Sequence, residues 1–381
     1  MIARVEAKER IVEALDRAPV CCLLGPRQCG KTTIARSLAA TRESHYFDLE
    51  SPRDLLRLTN PEMALEELSG LVVLDEIQER PDIFPVLRVL ADRIDSPAKF
   101  LLLGSASPEL IRRSSETLAG RVEFTFLHGF DLRETGTEQW KRLWRRGGFP
   151  KAYLAETEED AAAWLESFIQ TFLQRDLPQF GVNVSAPTMR RFWTMLAHSH
   201  GQLWNASQIG RSMSLTDKTV RSYLDRLSQV FMVRQIQPWY ENLAKRQVKS
   251  PRIYLRDTGL LHSLLGIGSA EALDGHPMVG ASWEGFALEQ TLRFFPSDDP
   301  YFWRTSGGAE LDLLLLRKGK RLGFEYKFSE KPSTTRSMRV AMEDLRLDHL
   351  YVVCPGRNLV GIDDRIDVCG IECLHELARS H

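Results

Sequence analysis

Short apolar runs alternate with segments of helical spacing along the first third of the chain. Continuous apolar runs predict strands that are buried on both faces, as in a parallel sheet. The predicted strands are residues 20–24, Ser44–Asp48, 71–74, 99–105 and Val122–Phe126. Amphipathic spacing predicts helices between them, beginning with residues 5–16. This order predicts an α/β domain built on a parallel sheet.

The pattern changes further along the chain. Residues 138–180 have helical spacing throughout. Helices at 188–198, 203–210 and 216–227 are then followed by a strand at 230–237, which is the element order of a winged helix-turn-helix. Ser214 or Thr216 is placed to cap the third of these helices. A helix beginning at Ser282 and strands at 310–316 and 322–328 predict a second α/β region.

Composition adds few constraints. The 381 residues carry a net charge of −1, with 43% hydrophobic and 27% charged residues, which is ordinary for a globular protein of two or three domains. Six cysteines show no disulfide-framework spacing, and the N-terminus has no apolar signal core. No apolar run reaches membrane-spanning length. We therefore expect a reduced, cytoplasmic protein without a membrane partner.

A phosphate-binding loop follows the first predicted strand. Its pattern is Gly, four residues, then Gly-Lys-Thr, and a helix follows. Backbone N–H groups and the helix N-terminus would bind phosphate, Lys31 would reach the β and γ phosphates of ATP, and Thr32 would ligate Mg²⁺. A chance glycine turn is the alternative, which the flanking strand and helix disfavour. The predicted nucleotide-binding residues are Gly25, Pro26, Arg27, Gln28, Cys29, Gly30, Lys31, Thr32 and Thr33.

Further candidates for ATP hydrolysis lie near the ends of the later strands. Asp75 would hold Mg²⁺, and Glu76 would orient or deprotonate the attacking water. Ser105 is placed to sense the γ-phosphate, or alternatively to cap a helix. Arg121 could act on the γ-phosphate of a neighbouring subunit, which would make the protein a homo-oligomer, or it could be an ordinary surface arginine. Arg175 is a second arginine that could contact nucleotide.

The segments GPRQCGKTT, LVVLDEIQ, LLLGSAS and LAGR, in this order, resemble AAA+ ATPases of bacteria and archaea. Residues 147–150 (GGFP) and 172–177 (FLQRDL) resemble a subgroup in which the ATPase core is joined to a winged helix and a PD-(D/E)xK nuclease-superfamily domain. The resemblance covers nearly the whole chain from about residue 17. It implies a doubly wound, five-stranded P-loop core (1–137), a helical lid (138–185), a winged-helix segment (186–245) and a nuclease-like α/β domain (246–381).

The winged-helix region is strongly basic. Residues 186–256 contain twelve Lys or Arg and three Asp or Glu, in a chain whose net charge is −1. Such a local excess is expected for contact with DNA phosphates. The candidates are Lys218 and Arg221 on the third helix and Lys245 and Arg246 after the predicted strand. A protein-binding winged helix, or docking against an acidic domain, is the alternative.

Two strands near the C-terminus carry a candidate nuclease site. If Lys318-Gly319 forms a two-residue turn, Arg317 lies opposite Lys320 and Asp312 opposite Glu325. Asp312, Glu325 and Lys327 would then share a face, where carboxylates could bind Mg²⁺ and the lysine could activate water. The spacing matches the PD-(D/E)xK pattern, with Glu284 as its accessory acid, although Leu311 replaces the proline. Alternatively, Lys327 neutralises Glu310 and Asp312 in a structural cluster.

These patterns together predict an ATPase that couples Mg²⁺-dependent ATP hydrolysis to a DNA-related task. Two alternatives remain open at this point. One is a nucleotide-switched regulatory or binding protein with an inactive nuclease fold. The other is an ATP-gated, metal-dependent DNA endonuclease.

Overall fold

The protein consists of two compact units. The computed structural model describes residues 2–93, 98–105, 114–179, 184–240, 249–296 and 299–380. Unit 1 comprises residues 1–129 and 229–231, and unit 2 comprises 130–228 and 232–381. The predicted lid, winged-helix segment and nuclease-like domain therefore share one unit. Their finer division at residues 138, 186 and 246 stays a prediction.

Unit 1 contains a five-stranded sheet in the order β2-β3-β4-β1-β5, in which every pairing is parallel. The strands are β1 (Val20–Gly25), β2 (Ser44–Asp48), β3 (Gly70–Asp75), β4 (Ala98–Ser105) and β5 (Val122–Phe126). The helices are α1 (Val5–Arg17), α2 (Lys31–Ala39), α3 (Pro52–Arg57), α4 (Pro61–Glu66) and α5 (Ile83–Ala91). The predicted parallel five-stranded sheet is confirmed.

The continuous apolar runs of the sheet are explained by burial on both faces. Along β1, Cys22 and Leu24 pack into one hydrophobic core, and Cys21 and Leu23 pack into another. Helix α1 covers the second face through residues spaced by three and four, including Ile11. Because parallel strands end at the same edge, the ends of β1 and β3 bring the phosphate loop and its candidate carboxylates together.

Unit 2 contains an eight-stranded sheet in the order β12-β13-β11-β10-β9-β8-β6-β7. Its strands are β6 (Val233–Pro238), β7 (Arg252–Leu255), β8 (Tyr301–Arg304), β9 (Glu310–Arg317), β10 (Lys320–Tyr326), β11 (His349–Cys354), β12 (Leu359–Asp363) and β13 (Ile366–Gly370). Its helices are α6 (Leu132–Thr135), α7 (Trp140–Arg146), α8 (Pro150–Tyr153), α9 (Glu158–Thr171), α10 (Leu177–Gln179), α11 (Ala186–His198), α12 (Ala206–Met213), α13 (Asp217–Gln229), α14 (Thr258–Leu264), α15 (Ala270–Asp274), α16 (Val279–Phe294), α17 (Arg336–Asp344) and α18 (Leu374–Ser380). No helix in the described ranges is both long and apolar enough to cross a membrane.

The basic region follows the predicted element order. Helices α11, α12 and α13 lead into strand β6, and the Thr216 hydroxyl caps α13 by accepting from the Thr219 N–H at 3.2 Å. Strand β6 pairs antiparallel with β7 and parallel with β8, where Gln237 lies opposite Tyr301. The strands of the basic region therefore continue the C-terminal sheet, a connection that the sequence does not predict. It places Arg252 of β7 on the same sheet as the C-terminal carboxylates.

Candidate functional site

The phosphate loop is shaped by backbone constraints at two glycines. Gly25 ends β1, and a Cβ atom there would lie 2.1 Å from the Leu127 carbonyl oxygen, so only glycine fits. Gly30 precedes α2 with a φ of 101°, in the left-handed region that favours glycine. Gln28, between them, also has a positive φ of 61°. Both glycines that the sequence motif requires are therefore explained by the loop conformation.

Lys31 and Thr32 begin helix α2 on the inner side of the loop. The Lys31 ammonium is buried, and it donates to the carbonyl oxygens of Gly25 at 2.9 Å and Pro26 at 3.0 Å. It therefore lies above the turn of the loop, within reach of anions bound to the loop N–H groups. Thr33 faces solvent on the next position of the helix.

Asp75 forms the polar centre at the end of β3. One of its oxygens, Oδ2, accepts from the Thr32 hydroxyl at 2.9 Å and from the Tyr46 hydroxyl at 2.5 Å. Burial raises the pKa of Asp75, although both hydrogen bonds oppose the shift. Carboxylate and hydroxyl oxygens are the ligands that Mg²⁺ prefers, so this donor set fits the ion. The sequence motif does not reveal Tyr46, which lies on the neighbouring strand β2.

Glu76 follows Asp75 in a strained backbone conformation. Its φ of 57° lies in the left-handed region, which is uncommon for a residue other than glycine. The Gln78 amide donates to Glu76 Oε2 at 2.5 Å and so orients the carboxylate. Glu76 is therefore held in position by its backbone and by a neighbouring side chain, as a residue that orients water would need to be.

Arg4, which lies outside the phosphate loop in sequence, holds the loop in place through hydrogen bonds. Its guanidinium donates to the carbonyl oxygen of Cys29 within the loop and to that of His128 beyond β5, each at 2.8 Å. Arg4 is only 8% exposed. Nothing in the sequence motif points to it, because its partners lie 25 and 124 positions away.

In unit 2, the predicted register of the C-terminal strands is confirmed. Lys318 and Gly319 both have positive φ, as the two central residues of a type I′ turn require, and Arg317 lies opposite Lys320. The ladder runs to Leu313 opposite Phe324, so the next position brings Asp312 beside Glu325. The Tyr326 N–H donates to Asp312 Oδ2 at 3.1 Å.

The remaining predicted groups lie around these two carboxylates. Lys327 Nζ is 3.1 Å from Glu325 Oε2, and the Tyr254 hydroxyl donates to Glu284 Oε1 at 2.7 Å. Burial, followed by the charge of Asp312, raises the pKa of Glu284 to about 8 and that of Glu325 well above its usual value. The structure therefore brings together all four residues of the predicted nuclease set.

Arg252 is the cation that contacts Asp312 and Glu310. Its Nη1 donates to Asp312 Oδ1 at 2.8 Å and its Nη2 to Glu310 Oε2 at 2.7 Å. Arg252 therefore neutralises Glu310 and Asp312, whereas the alternative interpretation of the sequence assigned this role to Lys327. Within the described ranges, no three His, Cys, Asp or Glu side chains are grouped to hold a metal ion. As arranged here, Asp312 and Glu325 do not fit the predicted metal site.

Three protein-family models match successive parts of the chain. A model described as "AAA domain" matches residues 17–136, and models for two domains of unknown function, DUF8612 and DUF4143, match residues 137–271 and 279–374. Two relatives are 50% identical to the chain over 366 residues, covering 96% of this chain and 83% of each relative. They are "Uncharacterized protein Rv2008c" of Mycobacterium tuberculosis and "Uncharacterized protein Mb2031c" of Mycobacterium bovis. The chain belongs to their family.

Residues 17–136 of this protein form an AAA domain with the P-loop ATPase fold. Among solved structures, the chain is similar to the Walker-type ATPase PABY2304 of Pyrococcus abyssi, with 16% identity and a TM-score of 0.49. That similarity covers 70% of this chain and 96% of the other.

The other predicted site residues are placed as follows. The backbone of Ser105 pairs with Gly25 at the start of the loop, and its side chain lies outside the described atoms. Arg121 forms an exposed ion pair with Asp92 of the same chain. Its action on a neighbouring subunit stays a prediction.

The predicted DNA-binding residues are placed only in part. Lys218 and Arg221 are exposed on α13, one helical turn apart. Lys245 and Arg246 lie outside the described residues.

Proposed function

We propose that this protein binds ATP together with Mg²⁺ at the edge of the unit 1 sheet and hydrolyses it there. The observation that carries the proposal is the 2.9 Å hydrogen bond between Thr32 of the phosphate loop and Asp75 at the end of β3. It joins the two oxygen ligands that a P-loop enzyme uses for Mg²⁺, which neutralises charge on the β and γ phosphates when bound. Lys31 would bind the phosphates, and Glu76 would orient the attacking water.

An ATPase assay with three variants tests this proposal. Lys31→Ala is expected to abolish nucleotide binding and turnover. Glu76→Gln keeps the size of the side chain but loses the carboxylate, so we expect ATP to bind while kcat falls by about 10²–10⁴-fold. Lys8→Ala, at a partly exposed position of α1, is the matched control and should hydrolyse ATP normally. The proposal fails if the wild type shows no turnover with or without DNA, or if Lys31→Ala retains full activity.

We further propose that the basic segment, residues 186–256, contacts DNA phosphates and so links ATP hydrolysis to a DNA-related task. The segment contains twelve cations and three anions, although some of its arginines, including Arg234 and Arg252, are paired with carboxylates outside it. The support therefore comes from the cations that remain exposed. Lys218 and Arg221 are exposed, and neither forms an ion pair with any described residue. Exposed cations without an ion pair among the described residues are available to phosphates.

Binding to a short duplex, followed by fluorescence anisotropy over a salt series, tests the DNA contact. Lys218→Glu with Arg221→Glu should weaken binding for all sequences and lower the salt slope by about 2, one unit for each lost phosphate contact. Lys320→Glu with Arg336→Glu makes the same charge change at exposed positions outside the segment and is the control. Equal losses in both double variants would show that net charge, rather than this helix, governs binding.

A second candidate function is a nucleotide-switched binding protein with an inactive nuclease-like domain. The contact of Arg252 with Asp312 favours it over a metal-dependent endonuclease, because that contact occupies the carboxylate with a guanidinium. Tight ATP binding without measurable turnover would distinguish this function from an ATPase.

A further inference from the structure

We propose that Arg252 acts as a built-in cation in the acidic cluster of unit 2 and excludes divalent metal ions from it. The acidic cluster comprises Glu284, Glu310, Asp312 and Glu325, together with Lys327. The proposal does not depend on ATP hydrolysis, since every group in it belongs to unit 2.

The guanidinium lies at the point where three carboxylates converge. It makes short hydrogen bonds to Asp312 and Glu310, and Nη1 is 3.5 Å from Glu284 Oε1. Arg252 is 5% exposed, so these contacts are largely shielded from water. Helix α16 supplies Glu284 and strand β9 supplies the other two, so a single side chain from β7 connects three elements of the domain.

Oxygens of Asp312 and Glu284 that would ligate a metal ion are already engaged by hydrogen-bond donors. Asp312 accepts from Arg252 at Oδ1 and from a backbone N–H at Oδ2. Glu284 Oε1 accepts from Tyr254. Guanidinium and backbone N–H groups have no lone pair to offer a cation. Glu325 Oε1 is buried and accepts no hydrogen bond in the described structure, but one buried oxygen does not replace the hydration shell that Mg²⁺ or Mn²⁺ would lose there.

Both cations of the cluster already have carboxylate partners. Arg252 pairs with Asp312 and Glu310, and Lys327 Nζ is 3.1 Å from Glu325 Oε2. Arg252 and Asp312 are both buried, and buried charges are stable only when they are paired. A divalent cation would have to displace Arg252 from its carboxylates.

Mn²⁺ binding to the nucleotide-free full-length chain tests the proposal. All proteins carry Asp75→Asn, which removes the metal ligand of the phosphate-loop site. Mn²⁺ is titrated at pH 8 and followed by its electron paramagnetic resonance signal. Four proteins are compared: Arg252 intact and Arg252→Met, each with and without Asp312→Asn. Near-UV circular dichroism verifies that each protein is folded.

With Arg252 intact, we expect no Mn²⁺ to bind. Arg252→Met should gain about one Mn²⁺ per chain, because it frees oxygens of Asp312, Glu310 and Glu284 as ligands. Adding Asp312→Asn should abolish that gain. The proposal is overturned if the Arg252 protein binds one Mn²⁺ that Asp312→Asn removes, or if folded Arg252→Met binds none. Should Arg252→Met not fold, Arg252→Gln replaces it; its side chain is polar but carries no charge, so measurable Mn²⁺ binding supports the proposal and none overturns it.

Discussion

Replacing Arg4 by Met should damage the nucleotide site although Arg4 lies outside the phosphate loop. Its guanidinium connects the Cys29 carbonyl in the loop with the His128 carbonyl that follows β5, at 2.8 Å each. Helix α1 begins at the next residue. Arg4 therefore fastens the start of the chain to both sides of the loop. Without it, we expect the loop N–H groups to lose the arrangement that converges on phosphate.

The expected loss of stability in Arg4→Met follows from its two hydrogen bonds, to the carbonyl oxygens of Cys29 and His128. A hydrogen bond to a charged group contributes about 1.5–3 kcal/mol net, and the two bonds share one side chain and are not additive. Because the guanidinium is nearly buried, solvent screening reduces this contribution little. We expect the free energy of unfolding to fall by about 3 kcal/mol, which lowers Tm by about 10 °C for a domain of this size. If the free energy of ATP binding became less favourable by only about 1.4 kcal/mol, the KM for ATP would rise about tenfold.

Thermal unfolding and steady-state ATPase kinetics would measure both effects. Lys8→Met, at a partly exposed position of the same helix, is the control for a long cation replaced by Met. Arg4→Lys retains the charge but loses the forked donor geometry, so it should fall between the wild type and Arg4→Met. If Arg4→Met left both Tm and KM at their wild-type values, the inferred support of the loop would be refuted.

Two further predictions concern buried carboxyl groups. Tyr46→Phe removes a hydrogen bond that opposes the raised pKa of Asp75, so the acidic limb of the kcat/KM profile should move to higher pH; an unmoved limb would contradict this. Glu284 keeps its proton in the folded protein up to about pH 8, whereas the unfolded chain releases it near pH 4.3. Between these values the unfolded state binds fewer protons, so the free energy of unfolding should fall as pH rises. Urea unfolding from pH 5 to 8 should show a flatter slope for Glu284→Gln, and an equal slope would argue against the burial of this carboxyl.

The sequence predicts unit 1 well because its signals are local. Residues of β1 face two separate cores in alternation, and this double burial produces the continuous apolar run that indicates a parallel strand. The phosphate loop is equally local, since its shape is determined by Gly25 and Gly30 within a few positions. Tyr46 and Arg4 cannot be predicted from a local motif. Tyr46 contacts Asp75 from a neighbouring strand, and Arg4 donates to backbone carbonyl oxygens, which every residue carries.

In unit 2, the contacts that a local sequence pattern cannot predict are even more important. Alternation and a two-residue turn suffice to predict that Asp312 and Glu325 lie side by side. The cation that pairs with Asp312 is 60 positions away, on a strand that joins this sheet through β6 and β8. No local pattern encodes that connection. The alternative interpretation of the sequence pairs Glu310 and Asp312 with Lys327, which is close in sequence, whereas the structure places Lys327 against Glu325.

Asp75 and Asp312 show why the partners of a carboxylate matter as much as the carboxylate itself. Both are buried residues on strands, and both fit a motif for metal-dependent chemistry. Asp75 Oδ2 accepts from hydroxyl groups, whose oxygens can themselves ligate a cation once their protons turn away. Asp312 accepts from a guanidinium and a backbone N–H, which can only donate. We therefore propose that Asp75 binds Mg²⁺ in unit 1 and that Asp312 does not bind it in unit 2, and the difference lies in side chains that neither motif contains.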